Sequence, residues 1–311
     1  MGLYLVTGGA GFIGSHLAEG LVSRGHQVRV LDNFSTGKKE NLESFRAEVE
    51  LIEGDVRDGN TCRTACRKVD YVLHQAALPS VPRSVEDPFL SNEVNITGTL
   101  NILLAGRDEG VQRLVFASSS SVYGDDPSLP QREGKEGHPL SPYAVTKRVG
   151  EEYCRLFSRI YGLSTVCLRY FNVFGPRQDP FSQYAAVVPN FITKILQGEP
   201  PTIYGDGEQS RDFTYIADVV EANLLAAEAG DVSGEVFNIA CGHRTSVNDL
   251  AAQINEILGA FVEPSHADPR PGDIRHSFAD ISRAKKKLRF SPKFSFRQGL
   301  EQTIRACQER K

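Results

Sequence analysis

The 311-residue sequence lacks a predominant charge sign, long apolar runs and clustered cysteines. Its formal net charge is −4, with acidic and basic residues interspersed, so it lacks the one-sided positive field that a nucleic-acid partner requires. No window approaches the roughly 20 apolar residues of a membrane span, and no basic or apolar leader precedes the first strand-like run. We therefore expect a cytoplasmic protein without nucleic-acid or membrane partners.

The six cysteines are too scattered along the chain for a disulfide framework. Only Cys62 and Cys66 are close in sequence. As an i, i+4 pair on a predicted helix, with no second pair nearby, they are typical of packing residues rather than of a zinc site. We expect reduced thiols and no metal.

Short apolar runs alternate with amphipathic segments through the first half of the chain. Because parallel neighbouring strands need long crossovers, this order predicts an α/β fold with a doubly wound parallel sheet and helices on both faces. The predicted strands cover residues 3–8, 27–32, 49–55, 70–76, 113–119 and 164–172. The predicted helices include residues 12–24, 92–110, 187–197 and 247–258.

After Asn172 the alternation is interrupted by segments rich in glycine and proline. We predict a smaller α/β lobe here, placed over the carboxyl ends of the strands, where ligands bind in such sheets. The larger, nucleotide-binding domain would comprise residues 1–171 and about 214–241. The smaller, substrate-binding domain would comprise residues from about 172 to 213 and from 242 to 311.

Gly8, Gly11 and Gly14 lie between the first predicted strand and helix, in TGGAGFIG, and Asp32 ends the second strand. Close approach of backbone N–H groups to a pyrophosphate requires residues without Cβ, and the helix N-terminus adds partial positive charge. A carboxylate at Asp32 accepts from both ribose hydroxyls and repels a 2′-phosphate, so the pattern favours NAD over NADP. The structural alternative is a simple turn formed by Asp32 and Asn33.

The string SPYAVTK, residues 141–147, places Tyr143 and Lys147 one helical turn apart. It occurs with VTGGAGFIGSHL, LDNFSTG, FASSSSVYGDD, LRYFNVFGPRQDP, GDGEQSRDF and RPGD. Together these strings resemble the extended short-chain dehydrogenase/reductase family, and within it the NAD-dependent nucleotide-sugar 4-epimerases. The resemblance covers nearly the whole chain. It implies a Rossmann-type domain, tightly bound NAD, a UDP-sugar substrate and a homodimer formed through helices 92–110 and 142–161.

The resemblance makes Tyr143 the general base toward the sugar 4-hydroxyl. A tyrosine with its ordinary pKa of about 10 is a poor base, so something must stabilise the phenolate. We expect Lys147 and the oxidised nicotinamide to do so by placing positive charge beside the ring. Ser119 would hydrogen-bond the same hydroxyl, and Ser120 is the next choice within the serine run at residues 118–121.

The resemblance also implies further contacts with cofactor and substrate. In addition to Gly8, Gly11, Gly14, Asp32, Tyr143 and Lys147, the cofactor would contact Phe12, Ile13, Asn33, Asp55, Val56, Gln75, Ala76, Ala77, Asn95 and Tyr170. The nucleotide sugar would contact Ser119, Ser120, Tyr143, Asn172, Val188, Tyr204, Arg211, Arg270, Asp273 and Ser277. Arg211 and Arg270 would grip the diphosphate, because the guanidinium fork matches paired oxygens.

The family resemblance makes Ser277 a determinant of sugar choice, since a bulky aromatic at this position restricts family members to plain hexoses. A serine predicts use of UDP-N-acetylglucosamine as well as UDP-glucose. Two alternatives stay open, namely a UDP-glucuronate 4-epimerase and a non-catalytic NAD-binding sensor. A dehydratase or decarboxylase would carry an acidic residue close behind the catalytic serine, where this chain has Ser120, Ser121 and Val122.

Overall fold

A seven-stranded parallel sheet forms the centre of the protein. The computed structural model describes residues 2–180, 186–269 and 275–309. The strands are β1 (Leu3–Thr7), β2 (Gln27–Asp32), β3 (Val49–Glu53), β4 (Tyr71–His74), β5 (Arg113–Ser119), β6 (Ser164–Tyr170), β7 (Val173–Phe174), β8 (Thr202–Tyr204), β9 (Ser210–Arg211), β10 (Thr214–Tyr215), β11 (Glu235–Ile239), β12 (Thr245–Ser246) and β13 (Ser265–Ala267). The central sheet has the order β3-β2-β1-β4-β5-β6-β11, with every pair parallel.

Helices cover both faces of this sheet. They are α1 (Phe12–Val22), α2 (Gly59–Cys66), α3 (Val81–Glu86), α4 (Pro88–Asn92), α5 (Gly98–Asp108), α6 (Pro142–Tyr161), α7 (Val187–Leu196), α8 (Ile216–Glu228), α9 (Val247–Leu258), α10 (Ser282–Lys287) and α11 (Phe296–Glu309). Successive residues of a strand point to opposite faces. Accordingly, Leu114 and Phe116 of β5 belong to one buried apolar cluster, and Val115 and Ala117 belong to the other. The doubly wound α/β architecture predicted from the sequence is therefore confirmed.

The strand order reverses between β1 and β4. From β1 the chain continues outward through β2 to β3, and it then returns to place β4 on the other side of β1. In open α/β sheets, ligands bind in the crevice beyond the carboxyl ends of the strands at such a switch point. The loop after Thr7 and the loop after His74 meet there.

The predicted helix 92–110 is divided by one π-helical turn at Glu93–Thr97, between α4 and α5. The N–H of Gly98 donates to the carbonyl of Glu93, five residues earlier. A Cβ at Gly98 would lie 2.6 Å from Val56 Cγ2, so only glycine permits this close approach of α5 to the β3–α2 loop. π-Helical turns of this kind are frequent at functional sites.

The second half of the chain builds smaller units around the sheet. Strand pairs β7–β10, β8–β13 and β9–β12 are each two-stranded, and only β9–β12 is antiparallel. β11 joins the central sheet beside β6. β11 is not among the strands predicted from the sequence. The assignment of the chain to two domains stays a prediction.

The six cysteines, all within the described residues, form no disulfide. Cys62 and Cys66 lie in α2 and are fully buried, as packing residues would be. Within residues 2–180, 186–269 and 275–309, no three metal-ligating side chains come together in a cluster. Over the same ranges, no helix has both the length and the apolar character that crossing a bilayer requires.

Candidate active site

The glycine loop lies at the switch point and has the close contacts that the sequence predicts. Gly8 has φ +65°, and a Cβ there would lie 2.8 Å from the backbone of Ala76. A Cβ at Gly14 would lie 2.1 Å from the carbonyl oxygen of Gly8. Any side chain at either position would therefore push α1 away from the ends of β1 and β4.

The N-terminus of α1 opens onto this loop. Gly11 is the N-cap residue, and it offers no side chain to satisfy the first helical amides. Phe12 and Ile13 are both half-buried at the start of the helix. Free N–H groups at a helix N-terminus, together with the helix dipole, favour an anion such as a pyrophosphate.

Asp32 ends β2 beside the loop and is 7% exposed. Its carboxylate accepts hydrogen bonds from Ala10 N at 2.9 Å and Phe34 N at 2.8 Å. Burial raises the pKa of Asp32, and these two hydrogen bonds oppose the shift. The turn that the sequence analysis treated as an alternative is thus present, and it holds the carboxylate in place. A carboxylate has about four acceptor positions, so Asp32 can still accept hydrogen bonds from a ribose.

Next to Asp32, Asn33 donates from Nδ2 to Asp55 Oδ2 at 2.8 Å. The guanidinium of Arg57 binds the same carboxylate and is the main reason why the pKa of Asp55 falls to about 2. Val56 is buried against Gly98. These residues form a charged and polar rim on the β2–β3 side of the loop.

On the β4 side, Gln75 begins the next group of predicted cofactor contacts. Its Nε2 lies 3.2 Å from the Tyr170 hydroxyl, which also bonds Asn223. Burial raises the pKa of Tyr170 to about 12. Ala76 and Ala77 continue this edge as half-buried residues. Asn95 is 2% exposed and binds the backbone of Leu78 through both side-chain atoms.

These features fit a bound dinucleotide. A loop with close backbone contacts at Gly8 and Gly14, an uncapped helix start and an acid fixed at the end of β2 come together at one edge of the sheet. The loop and the helix start match a pyrophosphate, and the acid matches an adenosine ribose.

The predicted catalytic residues come from β5 and α6. Ser141 caps α6 by accepting a hydrogen bond from Ala144 N at 3.1 Å, and Pro142 takes the first helical position. The hydroxyl of Ser84, in α3, accepts from the otherwise unbonded N–H of Tyr143 at 3.0 Å. The start of α6 is therefore held from outside the helix as well as from within.

Lys147 lies one turn after Tyr143, and its Nζ is 5.9 Å from the centroid of the Tyr143 ring. The ammonium donates to the carbonyl of Ala117 at 2.7 Å. Burial lowers the pKa of Lys147 to about 8. The lysine is therefore mostly protonated at neutral pH.

The pKa of Tyr143 lies above its ordinary value of about 10. Burial raises it, and a side-chain hydrogen bond from Ser119 only partly opposes the rise. The side chain is 9% exposed, so a phenolate would lose most of its hydration. That Lys147 and the oxidised nicotinamide favour the ionised form of Tyr143 stays a prediction, and their positive charge would have to offset this burial.

The serines of the run at residues 118–121 lie in different environments. Ser118 is buried, and its hydroxyl donates to Glu151, which also pairs with Arg169. Ser119 points to the other side of β5, close enough to Tyr143 to lower the pKa of its phenol, and its Oγ accepts from Ser121 N at 3.2 Å. Ser120 is half-buried at the start of the following 3₁₀ turn.

Among the predicted substrate contacts, Arg211 and Ser277 come together around Ser210. Arg211 Nη1 donates to the carbonyls of Ser210 and Arg275, and Ser277 N donates to Ser210 O. Ser277 is 7% exposed, and its hydroxyl lies 3.4 Å from Gln131 Oε1.

The remaining substrate contacts are more dispersed. Asn172 follows β6 with φ +32°, Val188 is buried in α7, and Tyr204 is 37% exposed at the end of β8. Arg270 and Asp273, which were also predicted to contact the substrate, lie outside the described residues.

Several residues that support this site were not singled out from the sequence. Glu151 and Arg169 form a buried ion pair with Nη2–Oε2 at 2.7 Å, directly behind Ser118. Glu151 lies four and eight residues after Lys147 and Tyr143, so helical spacing alone could have placed it near their face of α6. Ser84 and Asn223 carry no comparable sequence signal, because their partners lie 59 and 53 residues away.

A family model described as "Epimerase: NAD dependent epimerase/dehydratase family" matches residues 4–240. This match covers more than half of the chain, including the glycine loop and the Ser119, Tyr143 and Lys147 group. The chain belongs to this family.

Individual relatives of the family extend the likeness to the whole chain. A putative UDP-glucose 4-epimerase of Methanocaldococcus jannaschii is 40% identical over 304 residues, covering 97% of each protein. The solved UDP-N-acetylglucosamine 4-epimerase of Methanobrevibacter ruminantium, in complex with UDP-N-acetylmuramic acid, is 43% identical with a TM-score of 0.95, and the match covers 100% of this chain and 99% of that one. The UDP-glucose 4-epimerase of Thermotoga maritima, solved with UDP-glucose, is 41% identical with a TM-score of 0.94 and 99% coverage of both chains.

Membership of the NAD-dependent epimerase/dehydratase family confirms three predictions from the sequence. They are the resemblance itself, the Rossmann-type fold and an NAD-dependent enzyme. The role of each site residue stays a prediction.

Proposed function

We propose that this protein reversibly inverts the hydroxyl configuration at carbon 4 of a UDP-hexose. The observation that carries the proposal is the contact of Ser119 with Tyr143, one turn from Lys147, at the sheet edge that also carries the glycine loop. Relatives named as UDP-sugar 4-epimerases match this chain over nearly its full length. Their names support the same reaction here.

In this proposal Tyr143 removes the proton from the 4-hydroxyl while carbon 4 is oxidised to a ketone. It returns the proton to the same oxygen when the turned keto sugar is reduced on the other face of carbon 4. Bound NAD supplies the reversible two-electron acceptor that this oxidation requires. Gly8, Gly11, Gly14 and Asp32 would hold the cofactor. Ser119 orients the hydroxyl toward Tyr143, and the fixed start of α6 keeps the base within reach in both sugar orientations.

Arg211 anchors the nucleotide end in this account. Its guanidinium is held by two backbone carbonyls, so its fork is oriented before a diphosphate arrives. Arg270 would be its partner on the diphosphate, and Asp273 would accept from a ribose hydroxyl. An anchored nucleotide lets the hexose turn without leaving the site.

We propose UDP-N-acetylglucosamine and its 4-epimer as the preferred pair, with UDP-glucose and UDP-galactose also accepted. The support is the small side chain of Ser277, buried beside Gln131, together with the 43% identity to an enzyme named for the N-acetylated sugar. Ser277→Tyr should lower kcat/KM for UDP-N-acetylglucosamine at least tenfold more than for UDP-glucose, because the ring fills the space for the acetamido group. Ser277→Ala keeps the volume and is the control. Equal losses of kcat/KM on both sugars would contradict the argument that the volume at residue 277 selects the sugar.

The reaction is tested by incubating the purified protein separately with UDP-N-acetylglucosamine, UDP-glucose and UDP-glucuronate, and by identifying products by NMR. We expect the 4-epimers of the first two. Conversion of UDP-glucuronate alone would show a uronate epimerase, and bound NAD without conversion of any sugar would show a sensor.

Tyr143→Phe should keep bound NAD and lose nearly all turnover, and a wild-type rate in that variant would exclude the proposed base.

We further propose a homodimer formed through α5 and α6. On α6, Val145, Leu156 and Ile160 are 45%, 44% and 63% exposed, and helical geometry places them within about 60° of one another. Such an apolar stripe on an exposed helix favours burial against a second copy. Light scattering should give a dimer for the wild type and a monomer for Leu156→Glu. Phe261→Glu, at a 98% exposed apolar site outside these helices, should stay dimeric. A monomeric wild type would contradict the proposal.

A further inference from the structure

A buried series of hydrogen bonds connects the end of β1 with the helix that carries Tyr143. It begins at Thr7, the residue before Gly8, whose Oγ1 accepts from Ala76 N at 3.2 Å. Thr7 Oγ1 lies 2.7 Å from His74 Nδ1, and His74 Nε2 lies 3.0 Å from Thr99 Oγ1. None of the three side chains is more than 1% exposed.

The direction of these bonds fixes the protonation of His74. The Thr99 hydroxyl donates to the carbonyl of Asn95 at 2.6 Å, so it can only accept from His74. His74 is therefore protonated at Nε2, and its Nδ1 accepts from Thr7. Burial is the main reason why the pKa of His74 falls to about 3, which leaves the ring neutral throughout the range in which the protein works.

The second half of the series runs from Asn95, in the π turn, to the proposed base. Asn95 Nδ2 donates to Thr146 Oγ1 at 3.1 Å, and Thr146 Oγ1 donates to the carbonyl of Tyr143 at 2.8 Å. Because Ser84 binds the N–H of the same residue, the backbone of Tyr143 is held at both its N–H and its carbonyl group.

We propose that His74 is a positioning residue for the reaction: through Thr99, Asn95 and Thr146 it fixes the Tyr143 backbone relative to the glycine loop. This inference rests on the proposed function, because it assigns the purpose of the series to the general base. His74 touches neither reacting atom. It sets the distance between the strand end that precedes the cofactor loop and the helix that carries the phenol.

The series connects the central sheet with the π turn and with α6. Thr7 and His74 lie on adjacent strands, Asn95 lies on the π turn, and Thr146 lies on α6. An error of about 1 Å in the placement of a reacting group can lower a rate about 100-fold. Linking the two sites through directed hydrogen bonds limits such an error.

Thr99→Val tests the series, and the chain supplies a matched control. Thr99 and Thr303 are both 1% exposed, and each hydroxyl donates to the carbonyl four residues earlier, at 2.6 and 2.7 Å. Thr303 lies in α11 and has no part in the series. Thr303→Val should therefore lose the same kind of hydroxyl-to-carbonyl hydrogen bond and leave turnover within twofold of wild type. Thr99→Val should lower kcat about tenfold, with unchanged KM for the UDP-sugar and unchanged bound NAD.

Two substitutions of His74 separate its two bonds. The amide nitrogen of Gln can take the place of Nε2 and donate to Thr99, whereas the amide oxygen of Asn can take the place of Nδ1 and accept from Thr7. If the link toward Tyr143 matters, His74→Gln should retain several times more kcat than His74→Asn. A general structural role would lower the melting temperature of both variants and leave kcat of the folded protein equal.

Amide hydrogen exchange of the segment 141–150 provides a measurement that does not depend on turnover. Thr99→Val should exchange faster there than wild type, and Thr303→Val should not. Equal exchange in the two variants would overturn the inference whatever the activity. A wild-type protein that converts no UDP-sugar would overturn the proposed function, and the exchange result would still decide whether the series fixes Tyr143.

Discussion

At the scale of single residues, Tyr143 and Lys147 place opposite demands on their surroundings. Burial disfavours the charged form of both, so it raises the pKa of the phenol and lowers that of the ammonium to about 8. A phenolate is accessible only if positive charge offsets its lost hydration. The helical spacing of the two residues could be read from the sequence. Their burial could not, because Ala117 and Ser84 reach them from 30 and 59 residues away.

Lys147→Met should shift the pH dependence of kcat/KM. The substitution removes the nearby positive charge, so the pKa of Tyr143 rises further and less base is present at a given pH. We expect about 100-fold lower kcat/KM at pH 7, with the rising limb of the profile displaced to higher pH. Lys286→Met, at an exposed lysine of α10, is the control. A lower kcat/KM with the rising limb of the profile at the same pH would show that Lys147 does not act on the pKa of Tyr143.

At the scale of secondary-structure elements, the local sequence pattern predicts a helix or strand correctly where its bounds depend on its own residues. The bounds of β2, β5 and α9 match the predicted ones. The π turn before α5 could not be predicted, because it depends on Gly98 against Val56 and on Asn95 against Leu78. β11, with the sequence EVFNI, was missed because it is short and does not alternate between polar and apolar residues.

Gly14→Ala and Gly106→Ala compare two helical glycines with opposite surroundings. A Cβ at Gly14 would lie 2.1 Å from Gly8 O, whereas the nearest atom to a Cβ at Gly106 is 3.7 Å away. Gly14→Ala should therefore lose bound NAD and about 1–3 kcal/mol of unfolding free energy. Gly106→Ala should gain about 0.5–1 kcal/mol, since alanine restricts the unfolded chain. Urea unfolding and NAD release in acid extracts measure both effects, and full NAD content in Gly14→Ala would refute the role of the loop.

At the scale of the whole molecule, Asp212 links segments that are distant in sequence. It is fully buried, and its carboxylate accepts from the N–H groups of Cys241, Gly242 and Ala279, at 2.9, 2.9 and 3.2 Å. Burial outweighs these bonds and raises the pKa of Asp212 to about 6. Nothing in the sequence indicates these hydrogen bonds of Asp212, because the partners lie 29, 30 and 67 residues away.

Asp212 should make stability depend on pH. Its folded pKa of about 6 exceeds the unfolded value of about 3.9, so the folded state binds the proton more tightly. The resulting stabilisation is complete below about pH 4 and is lost as the pH rises through 6. Relative to Asp212→Asn, the wild type should gain about 1–3 kcal/mol of unfolding free energy between pH 7 and pH 4. Urea unfolding at several pH values tests this, and a constant difference between the proteins would contradict it.

In the proposed reaction, carbon 4 is oxidised and reduced again within one site. The most direct measurement uses UDP-N-acetylglucosamine carrying deuterium at carbon 4, incubated with the protein as purified and without added cofactor. We expect the 4-epimer with deuterium still at carbon 4, and no such product from Tyr143→Phe. Loss of the label to solvent, or a product altered at carbon 5 or 6, would contradict it.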